Sequence, residues 1–249
     1  MPGLQSVAAA VMHRIYGLFA GFAFIAITLP TVLLVAVIPG LERRRRFVKG
    51  SAALIFRTIG ARPQVSGGEN LPAGPCVAVA NHCSYLDGMI LTGVLPARFA
   101  FVIKREMTHV PFANFLLQRI GSEFVERFDR SRGAIDARRI MRQASRQQSL
   151  AFFPEGTFAA EPGLRRFHNG AFAAAVRGKL PVVPIVIRGS RDMLPAGRWL
   201  ARPGRLQVII QPPIDLDDTG NGARDLMRRC RESMLTDLDE PDLTADKRI

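Results

Sequence analysis

The first forty residues carry a pattern unlike anything after them. Between Arg14 and Glu42 no residue is charged, and IYGLFAGFAFIAITLPTVLLVAVIP, 15–39, is long enough to cross a bilayer at about 1.5 Å rise per residue. Its Leu, Ile, Phe and Val residues contribute about 0.3–0.6 kcal/mol each at mid-membrane depth. Together they favour insertion by about 4–8 kcal/mol before the polar and proline costs. The stretch is too long for an ordinary signal peptide and lacks its small-residue cleavage site; the competing reading is a buried core helix. Pro30 is expected to kink or split the helix, which leaves spanning, re-entrant and monotopic seatings open. In LERRRRFVKG, 41–50, four consecutive arginines and Lys49 leave the apolar segment, the mark of a cytoplasmic exit. Near an anionic surface each adds about 1 kcal/mol of attraction. Residues 47–60 then predict an amphipathic helix lying in the interface.

From about Arg62 the pattern changes to short apolar runs punctuated by Gly and Pro. Strands are predicted at 64–67, 76–80, 99–104, 123–126, 150–153, 182–188 and 206–211, and helices near 85–95, 111–119, 132–148, 169–178 and 222–238. Strands separated by helices predict an α/β fold: a mixed, largely buried sheet of about seven strands flanked by helices, behind an N-terminal hydrophobic helical anchor. The expected organisation is a membrane-associated helical segment over 1–60, one domain over 61–238 and a loose polar tail over 239–249.

Charge narrows the set of partners. The formal net charge is +13. The last 36 residues hold 10 acidic and 6 basic side chains, so the remaining body carries +17. Negative partners are expected, whether nucleic acid, anionic lipid or phosphorylated substrates. Trp199 and the two tyrosines offer no stacking platform for bases, and nucleic acid is not expected. Cys76, Cys83 and Cys230 are odd in number without CxxC spacing, which suggests neither a disulfide framework nor a zinc knuckle. His13, His109 and His168 are scattered, so no metal is expected.

The chemistry gathers where predicted strands stop. VAVANHCSYLDGM, 77–89, is an apolar strand ending at Asn81 and His82, with Asp87 five positions beyond the histidine. Ser84 and Asp87 have capping-box spacing for the next helix, which would give Asp87 a purely structural task. Across a loop and first helical turn, the same carboxylate can reach the His82 ring and fix its tautomer, as a general base for a hydroxyl requires. A second strand ends in LAFFPEGTF, 150–158, where Gly156 allows close backbone approach and the turn amides can face an anion. Between them IGSEFVERFDR ends a short strand at Arg127, a guanidinium suited to a phosphate fork. LPVVPIVIRGS carries Pro184 inside an apolar strand, which suggests an edge or a shaped pocket wall. No GxSxG elbow, GxxxxGK[ST] loop or HExxH helix is present, which disfavours serine hydrolases, P-loop enzymes and zincins. Cys83 beside His82 has no separate base and is a poor nucleophile candidate.

These four blocks, in this order, resemble the glycerolipid acyltransferase family, whose type member is lysophosphatidic acid acyltransferase. The NHxxxxD block is met by Asn81, His82 and Asp87, and the GxxFIxR-like block by Gly121, Phe124, Val125 and Arg127. FPEGT is met by Phe153 to Thr157, and the proline-containing strand by Pro184. The resemblance spans roughly 60–190 and departs at Phe158, where members usually carry an arginine thought to help hold the substrate phosphate.

The resemblance implies transfer of a fatty acyl group from acyl-CoA or acyl carrier protein to the sn-2 hydroxyl of lysophosphatidic acid. His82 and Asp87 would be catalytic. Lys104, Arg127, Glu155, Gly156, Thr157 and Arg165 would bind substrate, with Glu155 holding a glycerol hydroxyl or a basic side chain, Arg165 or Arg166 replacing the missing arginine, and Lys104 near the oxyanion or phosphate. No cofactor beyond the thioester co-substrate is implied. Membrane lipids and the lysophospholipid acceptor are the expected partners, on the cytoplasmic face of the inner membrane. Two alternatives stay open: another acceptor, such as lyso-ornithine lipid, and a membrane-tethered anion-binding protein without catalysis.

Overall fold

Residues 4–126, 130–216 and 222–244 are described by the computed structural model. Two helices come first, α1 (Leu4–Val37) and α2 (Leu41–Thr58). There follow β1 (Gln64–Ser66), β2 (Val77–Ala80), α3 (Asp87–Val94), β3 (Ala100–Lys104), α4 (Pro111–Arg119) and β4 (Glu123–Val125). After these come α5 (Arg130–Ser145), β5 (Leu150–Phe152), α6 (Gly170–Gly178), β6 (Val182–Arg188), α7 (Ser190–Met193), β7 (Gln207–Ile210) and α8 (Gly222–Asp237). The seven strands lie in the order β1-β7-β6-β2-β5-β3-β4. Among the described strands only the β6–β7 pair is antiparallel.

Alternation along the inner strands sorts the core into two layers. Ala78 and Ala80 of β2 and Val183, Ile185 and Ile187 of β6 face a cluster holding Phe56 and Ile59 from the α2 end and Ile90 and Leu91 of α3. Val77, Val79, Val182 and Val186 point the other way, into a cluster with Ile140 of α5, Phe172 of α6 and Cys230 and Met234 of α8.

The α1 helix belongs to the first layer. Gly17, Ala20, Ala23, Thr31, Val32 and Val35 are buried, a helical stripe covering about 27 Å. Ala20 and Ala23 join the Phe56 cluster, and Val35 packs with Val48 and Ile120. At Gly17 a side chain would strike Leu200 and the Ala201 carbonyl, so glycine is what lets the helix approach that loop. The opposite face, including Leu18, Phe22, Ile25, Leu29 and Leu33, is apolar and exposed.

Three sequence expectations change. Pro30 lies inside α1 without splitting it. The second helix begins at Leu41, so the arginine run is helical and partly structural. Arg45 donates to the carbonyls of Ile120, Gly121 and Arg98, and Lys49 to those of Val94 and Leu95. These side chains cap the C-termini of α4 and α3, where unpaired carbonyls and the helix dipole favour cations. Pro184 is buried within interior strand β6 between β2 and β7, not on an edge. Its carbonyl accepts from Gln211 N just past the last β7 residue. The chain then passes through Pro212 and Pro213 before pairing again at Ile214 with Val182, and that bulge tolerates the missing donor.

Candidate active site at the ends of three strands

Parallel strands β6, β2 and β5 are immediate neighbours, so the segments leaving their C-terminal ends emerge side by side, the usual site of chemistry in such sheets. β2 delivers Asn81 and His82, β5 delivers Pro154 and Glu155, and β6 delivers Gly189 and Ser190. Asn81 is buried and pairs with both the N–H and the C=O of Ile187, at 2.7 and 2.9 Å, extending the β2–β6 ladder through a side chain. That fixes the chain direction at the residue before His82.

His82 Nδ1 lies 2.9 Å from Oδ2 of Asp87, whose side chain is fully buried. The same oxygen accepts from the main-chain N–H of Cys83 and Ser84, at 2.7 and 2.8 Å, and Oδ1 accepts from the Ser190 hydroxyl at 2.6 Å. Asp87 thus closes the loop as half a capping box and braces the imidazole at once. A carboxylate on Nδ1 assigns the proton to that nitrogen and leaves Nε2 with its lone pair. The ring is 19% exposed and stacks on Phe153 at 4.2 Å between centroids, with Phe158 tilted against it at 4.5 Å and Tyr85 edge-on to Phe158.

Glu155 is placed differently from the sequence expectation. It is 3% exposed, and its two oxygens accept from the main-chain N–H groups of His82 and Arg165, at 2.7 and 2.9 Å. The carboxylate therefore ties the two loops together and is not directed at a glycerol hydroxyl or a basic side chain. Burial pushes its pKa up to about 7, opposed by those two donors. Gly156 has φ 72°, and its N–H closes the turn on the Phe153 carbonyl, so that amide is not presented to an anion. Thr157 is exposed. Arg165 is half-buried, with its main chain bound to Glu155 and Arg231, and Arg166 is exposed.

Lys104 ends β3, two strands from β2 and thus about 10 Å along the sheet edge. Its main chain belongs to the ladder with β4, opposite Val125, and its side chain is exposed and makes no hydrogen bond or ion pair among the described residues. Arg127 lies outside the described residues. Cys83 is buried with Sγ 3.2 Å from the Ser190 hydroxyl, and burial raises its thiol above the ordinary range, which disfavours the thiolate a nucleophile needs. Among the described residues no group of His, Cys, Asp and Glu forms a metal site.

Sequence reasoning missed Ser190, the Asn81–Ile187 stitch and the aromatic rings around His82. The available signal for Ser190 was its place in RGS, directly after an apolar strand, the same position that the other two site loops occupy.

A histidine–carboxylate pair lies on the loop after a central parallel strand, with a Pro-Glu-Gly-Thr turn on the adjacent strand, an arrangement chemically able to take a proton from a hydroxyl. The acyltransferase family model matches residues 62–188, and the chain belongs to that family. It is 30% identical to the 1-acyl-sn-glycerol-3-phosphate acyltransferase of Pseudomonas aeruginosa, over 82% of this chain and 80% of the relative. It is 32% identical to the chloroplastic 1-acyl-sn-glycerol-3-phosphate acyltransferase BAT2 of Brassica napus, over 78% of this chain and 60% of the relative. The chain spans about three fifths of the length of several such relatives. The crystal structure of the 1-acyl-sn-glycerophosphate acyltransferase PlsC from Thermotoga maritima shares the fold, with a TM-score of 0.75 at 22% identity over 94% of this chain and 96% of that one.

Proposed function

We propose that the protein transfers a fatty acyl group from an acyl thioester, acyl-CoA or acyl carrier protein, to the sn-2 hydroxyl of lysophosphatidic acid. The carrying observation is the His82–Asp87 hydrogen bond beside the Glu155 loop. His82 Nε2 takes the proton of the acceptor hydroxyl as its oxygen bonds to the thioester carbonyl carbon. Collapse of the tetrahedral intermediate breaks the carbon–sulfur bond, and the departing thiolate takes the proton from the imidazolium. The main-chain network around Asp87 holds the ring ready for both transfers. Arg127, Arg165, Thr157 and Lys104 are the proposed contacts to the acceptor and to developing negative charge.

The apolar outer stripe of α1 suits a seat along the membrane surface on the cytoplasmic side of the inner membrane, with the inner stripe packed on the domain. Trp199, 95% exposed beside Leu200, flanks the helix like an interfacial anchor. This divides the chain functionally into an anchor over 1–60 and a catalytic domain over 61–238, to which the described residues of the expected tail, 239–244, are tied through Arg188–Asp239, Arg191–Glu240, Arg231–Asp242 and the pairing of Leu164 with Asp242.

The Phe158 ring against His82 favours a second reading, in which the acceptor is a lysolipid without a phosphate next to the reacting hydroxyl, such as lyso-ornithine lipid. The deciding experiment incubates the purified protein in detergent with labelled palmitoyl thioesters and a panel of lysolipids. Phosphatidic acid as the dominant product supports the first reading, and acylation of only a phosphate-free acceptor replaces it with the second. No product with any acceptor, at any thioester, overturns both.

A further inference from the structure

We infer that Ser190 is a positioning residue for the acyl transfer, the far end of a buried Ser190–Asp87–His82 hydrogen-bonded chain; the inference rests on the reading of His82 as the base. Three of the four donors on Asp87 converge on Oδ2, from His82, Cys83 and Ser84, all within its own loop. The fourth, at 2.6 Å on Oδ1, comes from residue 190, 103 positions away. Both Asp87 and Ser190 are 0% exposed. Without that hydroxyl a buried carboxylate oxygen would have no donor among the described residues, and such an oxygen is costly to leave unpaired. The carboxylate plane is therefore set by two loops: one fixes Oδ2, and the other fixes rotation about the bond that aims it at His82.

Local geometry delivers the hydroxyl deliberately. Gly189 has φ 80°, and a side chain there would run into the Arg205 carbonyl at 1.9 Å, so the reversal from β6 into α7 requires glycine. With its proton given to Asp87, the Ser190 oxygen is free to accept from the Cys83 thiol at 3.2 Å, so both functions of the hydroxyl are used inside the site. The rest of the segment grips the same loops. Ser84 Oγ donates to the Leu194 carbonyl at 2.7 Å, and Arg191 donates to the Ala159 carbonyl at 2.6 Å while holding Glu240 through both carboxylate oxygens. The 189–194 segment thus clasps the His82 loop on one side and the loop beyond Phe158 on the other. A space-filling serine would need none of this polarity.

The test uses the full chain in detergent micelles with ¹⁵N-labelled histidine, the His82 signals being assigned by their loss in His82→Ala. In the unsubstituted protein the expected spectrum has the proton on Nδ1. Ser190→Ala is expected to mix the two tautomers and to lower kcat about ten-fold or more, with KM for both substrates within about two-fold. Ser190→Thr, which returns the hydroxyl, is expected to restore both readouts. In an Asp87→Asn background Ser190→Ala should cost nothing further, since the chain is already broken. An unchanged His82 spectrum in Ser190→Ala, an additive loss in the Asp87→Asn background, or a fall in kcat that Ser190→Thr fails to rescue would each overturn the inference. Should Ser190→Ala fail to accumulate, Ser190→Cys, with similar volume and a weaker donor, is read by the same criteria. The spectra need no substrate, so a protein that transfers no acyl group removes the functional reading while the tautomer still decides the role of Ser190.

Discussion

Glu155 Oε1 accepts the main-chain N–H of His82 at 2.7 Å across 73 residues of sequence. The glutamate of one loop thereby fixes the backbone from which the proposed base projects. The other oxygen holds Arg165 N, so one buried carboxylate links three segments.

That burial makes stability depend on pH. Glu155 titrates at about 7 in the folded protein against an ordinary 4.5. Over that window the folded chain retains a proton that the unfolded chain has released. The sign follows: this contribution is full below about pH 4.5 and is lost as pH rises through about 7, on the order of 3 kcal/mol in all. Glu155→Gln cannot ionise. Its thermal midpoint, measured from pH 5 to 8, should decline with pH less steeply than that of the unsubstituted protein; parallel slopes would contradict this.

Asp87→Asn places an amide against groups that need an acceptor, His82 Nδ1 among them, and so disturbs the tautomer. The expected loss in kcat is about 10²- to 10⁴-fold, with circular dichroism unchanged. Turnover within about three-fold of the unsubstituted protein would remove Asp87 from the mechanism.

Phe158→Arg brings a guanidinium to the wall of the His82 ring. Charge-assisted pairing with phosphate predicts a gain of about ten-fold in kcat/KM for a phosphate-bearing acceptor relative to a phosphate-free one. Equal ratios before and after substitution would show that this wall does not contact the acceptor head group.

Arg45→Met keeps the bulk of the side chain and removes the donors to Ile120, Arg98 and Gly121. Leaving those carbonyls unpaired should cost about 2–4 kcal/mol, visible in scanning calorimetry as a thermal midpoint lowered by several degrees. A shift under about 1 °C would mean that the helical pair is held by apolar packing alone.

Phe22 and Ile25 lie on the exposed stripe of α1. Phe22→Lys with Ile25→Lys should shift the protein from the vesicle fraction to the soluble fraction in flotation, since each lysine at apolar depth costs about 2.5–3.5 kcal/mol. Undiminished flotation would assign membrane binding to another surface.

All seven strands and the long helices are legible in local pattern, because burial on two faces demands continuous apolar runs in β2, β5 and β6, and the glycines and prolines between them end each element. The His82–Asp87 relation is legible for a related reason: both partners lie on one loop and first turn, where spacing alone limits how far apart they can be. What sequence could not assign was any task that depends on two distant segments meeting. Arg45 and Lys49 look like charge for a membrane surface until α3 and α4 bring their carbonyl ends to them. Glu155 looks like a substrate ligand until strand order puts β5 beside β2. Ser190 carries no local signal of its bond to Asp87, because only the β6–β2 pairing brings residue 190 to residue 87. Periodicity records which face of an element is buried, whereas hydrogen bonds between loops depend on strand order and register, and these are settled only when the sheet assembles.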